Sequence, residues 1–347
     1  MPVFVGSLAG LAEASARVDN LQAFTHLLGQ EADEEDGPAS CLPDAIRGYF
    51  ENGGGPCYVA SSTADGLDEA LSSVDDVVTI LVAPDMWNSG EEDAAAWARA
   101  LTAHAAAYLQ MAILHTDRHQ TPDDAIETVK EWGLGEEAAF AAVYYPWLKT
   151  SSGDRAVPPS GPIAGIWAGT DRQRGVWKAP ANTAVIGVSG LEHDVTDDAL
   201  GRLNAAGINP IRHFPGRGHV VWGARTLAGR DDNPDLRWRY LPVRRLTSAV
   251  ERDIQAALKY LTFEPNTQPT WEKARVAADS YLHSLWRMGG LQGTKPEEAY
   301  FVQVGNDITM DDDDVAQGRL ILKVGLAPVR PAEFIILEIT QDVAAAG

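Results

Sequence analysis

The chain has 347 residues, 45% hydrophobic and 22% charged, the composition of an ordinary globular protein long enough for two domains. Forty-nine acidic residues against 28 basic leave a net charge of −21, which argues against nucleic acid and anionic membrane surfaces as main partners. No apolar run approaches the ~20 residues of a membrane span, no secretion signal opens the chain, and Cys41 and Cys57 read as packing residues, so a reducing cytoplasm is the expected site of synthesis.

In chain order, Val3-Phe4-Val5-Gly6 reads as a strand and residues 21–28 as a turn or two of helix. Residues 31–36 read as an acidic, solvated loop. Residues 42–50 are helical and stop at Asn52-Gly53-Gly54-Gly55, and CYVA at 57–60 is the next strand. An α/β rhythm follows. A short helix at 67–71 precedes an apolar strand at 77–82 (VVTILV). An alanine-rich helix at 91–109 leads to a strand at 111–115, and a helix at 122–132 to a strand at 139–145. Strands apolar on both faces, alternating with helices, point to a parallel sheet covered on both sides.

Residues 151–169 are rich in Pro and Gly and read as loop, with a helix beginning only at Trp167 and a second loop at 177–184. A strand is expected at 185–188, a helix at 197–206, and strands at 208–214 and 220–225 around a Gly216-Arg217-Gly218 turn. The character changes near residue 236, and a domain boundary is placed at about 236–242. Two amphipathic helices, 243–263 and 269–288, are separated by Glu264-Pro265-Asn266-Thr267. A strand at 300–304, an acidic loop at 311–314 and a half-buried strand at 319–324 (RLILKV) complete this part.

The last strand, Phe334, Ile335, Ile336, Leu337, Glu338 and Ile339, follows a connector stiffened by Pro328 and Pro331. Such a spacer carries the strand away from its sequence neighbour, to a sheet edge of its own fold or of another copy. Burying its four large apolar side chains returns roughly 6–12 kcal/mol, and ordering six residues costs about as much, so physics alone leaves both destinations open.

The chemistry-bearing residues form no recognisable active site. Ser189 sits in Gly187-Val188-Ser189-Gly190-Leu191, which lacks the second glycine of a nucleophile elbow. His115, Asp117 and His119 lie where a strand runs into a loop, so the two histidines share no helical face and a solvated loop is expected. Gly161, Gly165 and Gly169 match neither a P-loop nor a dinucleotide fingerprint, and Asp311 to Asp314 lack the Gly and trailing Glu of a calcium loop. No catalytic residue, cofactor or metal is assigned.

As a whole the sequence resembles the contractile tail sheath proteins of phages, R-type pyocins and phage-derived contractile injection systems. The resemblance is carried by an ordered set of segments spanning nearly the whole chain. They are RGYFENGGGPCYV (47–59), VAPD (82–85), PSGPIAGIWAGTDRQRGVWKAPAN (159–182), LNAAGINPIR (203–212) and VVWGARTL (220–227). PVRRL (242–246), FEPN (263–266), LWRMGGLQG (285–293), PEEAYFV (296–302) and GRLILKVGLAPVRPAEFIILEI (318–339) continue the series.

The resemblance implies an outer α/β domain, residues 1–238, in a subtilisin-like arrangement without catalytic residues. It implies an inner, tube-facing α+β domain, 239–347, with 327–347 as an inter-subunit arm whose strand joins a neighbour's sheet. It further implies hexameric rings stacked helically around an inner tube, contraction that drives the tube through a target membrane, and synthesis in a bacterial or archaeal cytoplasm. The expected partners are other copies, the tube protein, baseplate and cap proteins and paralogous sheath subunits, without membrane insertion. The compact length resembles sheaths without large outer insertions. The family's N-terminal arm has no counterpart ahead of Val3. That leaves a truncated sequence, a strand supplied by a paralogue, or a copy at an end of the stack. Lys273, Arg275 and Arg287 are the residues expected to meet acidic groups of the tube. Two other functions stay open: a non-contracting cap or baseplate-proximal adaptor, and a soluble α/β enzyme.

Overall fold

The computed structural model describes residues 1–6, 15–27, 40–72, 74, 76–151, 155–232 and 236–333. The acidic loop expected at 31–36 lies outside the described residues. The strands in chain order are β1 (Pro2–Gly6), β2 (Ser15–Val18), β3 (Cys57–Ser61), β4 (Ile80–Val82), β5 (Met111–His115), β6 (Ala141–Tyr145) and β7 (Leu148–Thr150). They continue with β8 (Ala156–Val157), β9 (Thr183–Ala184), β10 (Val188–Leu191), β11 (Ile208–Phe214), β12 (Gly218–Val221), β13 (Tyr300–Gln303) and β14 (Lys323–Leu326). Among the described residues the main sheet has nine strands in the order β2-β3-β1-β4-β5-β6-β11-β12-β9. Its centre is parallel: β3, β1, β4, β5, β6 and β11 run the same way, and β2 and β12 cap it antiparallel.

The central strands are apolar on both faces because both faces are covered. On β1, Val3 and Val5 join one core and Phe4 the other. The first core is closed by helices α3 (Leu67–Leu71), α4 (Glu91–Ala107), α5 (Pro122–Glu131) and α7 (Asp197–Ala205). The second is closed by α1 (Leu21–Leu27), α2 (Leu42–Glu51) and α6 (Ser160–Arg174). Thr121 caps α5 in a capping box with Asp124, and Thr196 caps α7 through the amide of Ala199. A third core joins α8 (Leu241–Leu258) and α9 (Gln268–Arg287) to the β13–β14 ribbon through Leu246, Val250, Leu282, Leu285 and Tyr300.

Several expectations are corrected. Residues 160–166, read as loop, belong to α6, because glycine there serves contact rather than flexibility. A Cβ on Gly161 would lie 2.3 Å from the Ala45 carbonyl oxygen, and one on Gly165 2.3 Å from that of Tyr49. Pro162 falls in the first turn, where a missing N–H costs nothing. The strand expected at 77–82 shortens to β4, with Val77 52% exposed. Of the strand expected at 185–188 only Val188 is in a strand, β10, because the chain turns between β9 and β10 at Gly187, whose φ is +80°. The acidic stretch at 311–314 is not a loop: Asp311 caps a short helix, Asp312–Ala316, in a capping box with Asp314. The strand expected at 319–324 forms later, as β14.

Candidate assembly surfaces

Residues read for chemistry lie apart. The Ser189 hydroxyl donates to the Lys149 and Thr150 carbonyls on an exposed edge, and His193 stacks on Tyr145. His115 is fully buried at the end of β5, contrary to the solvated loop expected, whereas His119 is exposed. Both ring nitrogens of His115 have no partner among the described residues, and burial pushes its pKa down to about 3. Its ring meets the Trp147 indole edge-on at 5.7 Å, so it packs as a neutral aromatic. Cys41 and Cys57 are both buried and free.

The dense polar chemistry lies instead where the two cores of the large sheet meet α8 and the end of the described chain. PVRRL places Arg244 and Arg245 in the first turns of α8. Arg245 grips Asp171 of α6 with two hydrogen bonds, 2.9 and 2.5 Å, and lies over the Trp167 ring at 4.6 Å. Arg244 sits between the rings of Trp238 at 4.0 Å and Phe140 at 4.6 Å, and burial lowers its pKa to about 10. Two turns on, Arg252 donates to the Leu109 carbonyl beyond α4.

A second clamp holds the root of the C-terminal segment. From β14 the chain passes the loop after α9: Gln292 N–H donates to the Ala327 carbonyl, and Leu291 bridges to Pro328. It then reaches Glu333, whose carboxylate accepts two hydrogen bonds from Arg225, 2.7 and 2.9 Å. Arg225 is 3% exposed and also donates to the Asn204 carbonyl and pairs with Asp231. Burial opposes its charge, and the Glu333 hydrogen bond and charge more than offset that, so its pKa rises. The backbone of Arg225 is fixed in turn by Asn209 of β11, which also donates to Val143 of β6. Sequence reading missed this clamp. VVWGARTL and RPAEF carried the two partners, but nothing in a sequence shows that residues 108 apart meet.

The expected inter-subunit strand, Phe334, Ile335, Ile336, Leu337, Glu338 and Ile339, lies outside the described residues. The β13–β14 ribbon pairs with no further strand among the described residues. The expected tube-facing residues are all on α9. Lys273 pairs with Glu264 at 4.0 Å, Arg275 with Glu272 at 2.8 Å, and Arg287 is exposed in the last turn.

The comparisons with known proteins agree with this architecture. The phage tail sheath protein central domain matches residues 136–227, and the phage tail sheath C-terminal domain matches 233–342. A chain in the cryo-EM structure of the six-fold symmetrised anti-feeding prophage baseplate is 40% identical, with a TM-score of 0.84 over 99% of this chain and 93% of its own. The chain belongs to the phage tail sheath protein family. Another member, from the contracted PVC sheath complex of an extracellular contractile injection system, is 40% identical with a TM-score of 0.81, covering 98% and 92% of the two chains. The tail sheath protein of Vibrio phage KVP40 is 29% identical over 197 residues, 56% of this chain. The chain spans only 28% of that phage protein's length.

Proposed function

We propose that this protein is the repeating subunit of a contractile sheath. Copies form hexameric rings that stack helically around an inner tube, and contraction drives the tube through a target membrane. Residues 1–238 form the outer domain and 239–347 the inner one, with 327–347 as the arm whose strand, Phe334 to Ile339, completes a neighbour's sheet. The observation that carries this reading is the likeness, over nearly the full chain, to a subunit of a contracted sheath. Among the described residues the β13–β14 ribbon has no third strand, which supports it, since unpaired strand edges recruit further strands. On this reading α9 faces the tube, with Lys273, Arg275 and Arg287 at the contact, and the sheath is a bistable set of interfaces.

A baseplate-proximal, non-contracting adaptor is the second reading, favoured by the likeness to a chain from a baseplate structure. Negative-stain microscopy of this protein co-expressed with its tube protein separates the two. Striated cylinders along the tube are expected. Rings confined to one end of the tube would replace the sheath reading by the adaptor, and discrete particles would remove both.

A further inference from the structure

The α8–α9 turn carries a feature that the fold does not use. Phe263 is 101% exposed, so its ring contributes nothing to any core among the described residues. Its backbone nevertheless adopts φ +72°, a conformation that disfavours a bulky side chain. Strain without local return persists where the surroundings impose it and function uses it.

The surroundings do impose it. Asn266 accepts from Trp271 Nε1 at 2.7 Å and donates to the Arg319 carbonyl at 3.0 Å, fixing the turn to α9 and to the loop before β14. The Glu264 amide donates to the Leu261 carbonyl, and Glu264 pairs with Lys273. Tyr260, 61% exposed, widens the apolar tip. A rigidly buttressed, fully exposed aromatic is the form of an interface anchor: it loses little entropy on binding and offers a large ring to a pocket.

We infer that Phe263 is a contact anchor that inserts into a second copy of this chain. The occupant follows from the proposed sheath, on which the inference rests: the relatives that match over nearly the whole chain come from assemblies of copies, one of them a helical sheath in the contracted state. Charge agrees with an apolar contact. Beside the tip, Lys273 is paired with Glu264 and Arg275 with Glu272, so the Phe263 ring itself offers an apolar contact. The contact is heterologous. Tip against tip would close a pair and stop, whereas a tip entering a different surface propagates a helix.

The test places a photo-crosslinking amino acid at 263, and in parallel at exposed position 280 on α9, in full-length protein co-expressed with its tube protein. Crosslinks from 263 to a residue other than 263 on another copy are expected. Crosslinks to the tube protein, or none in formed cylinders, overturn the inference, and 263-to-263 crosslinks overturn its heterologous geometry. The variants F263A and F263G complete the test. Glycine relieves the positive φ, so F263G should melt no lower than the parent while the concentration needed for cylinders rises at least tenfold. If the parent assembles and both variants assemble equally well, the anchor fails and the sheath reading stands. If the parent forms no cylinders, the sheath reading and the anchor fall together.

Discussion

At the scale of single residues, His115 shows how burial converts a titratable group into a packing group. It is held neutral in the fold by desolvation, with a pKa of about 3 against about 6.5 in the unfolded chain. The unfolded chain therefore binds a proton as pH falls through 6.5, and the folded chain does so only near 3. Stability from this residue is fully present above pH 6.5 and declines towards pH 3, by up to about 1.4 kcal/mol per pH unit. Substituting His115→Leu, similar in size and without a titrating group, should remove about 2 kcal/mol of the loss between pH 6.5 and 5. Urea unfolding of parent and variant at both pH values measures this, and equal slopes against pH would refute it. Cys57 belongs to the same class: burial pushes its thiol up to about 12, so slow reaction with thiol reagents is expected until the fold opens.

At the scale of elements, the α2–α6 contact decides whether the second core closes. Gly161 and Gly165 let α6 lie directly on the α2 backbone, and Gly48 of α2 leaves room for Pro162. Backbone cannot retreat as a flexible side chain can, so Gly161→Ala or Gly165→Ala should each destabilise by roughly 1–3 kcal/mol or more. Substituting Gly201→Ala on the exposed face of α7, where an added Cβ meets nothing within 4 Å, serves as the control and should be neutral or stabilising. Denaturant midpoints test the contrast, and equal effects at positions 161 and 201 would refute it. These glycines also explain what could be read from sequence. The strands of the parallel sheet were legible because burial on both faces leaves continuous apolar runs, as in MAILH. Helix α4 was legible from its alanine-rich run. Helix α6 was not, because its glycines answer to a partner 116 residues earlier, Ala45 against Gly161, and local rules score glycine as a breaker. The capped turn at Asp311 was misread for a related reason: acidic residues there satisfy helix amides, which charge counting alone reads as solvation.

At the scale of the whole molecule, the two arginine clamps tie α8 to α6 and residue 333 to the large sheet. If the C-terminal segment links neighbours, tension enters at residue 333, just beyond a spacer that follows the two-stranded β13–β14 ribbon and rests on the loop at residues 290–292. Such a ribbon is weak on its own. The Glu333–Arg225 pair offers a shorter route, through Arg225 and Asn209 to β11 and β6 in the interior of the nine-stranded sheet. Glu333→Leu or Arg225→Met should therefore cost up to about 3 kcal/mol, since each removes a two-hydrogen-bond charge pair from a largely buried site, although Arg225 keeps Asp231 and Glu333 keeps the Tyr240 hydroxyl. The double variant Arg225→Met/Glu333→Leu should recover part of that loss, with a coupling of about 1–3 kcal/mol, because two apolar side chains need no partners. Urea unfolding of the four proteins closes the cycle. Single losses that simply add would mean that the two side chains act independently, and the route for load from the chain's end into the sheet would have to run elsewhere.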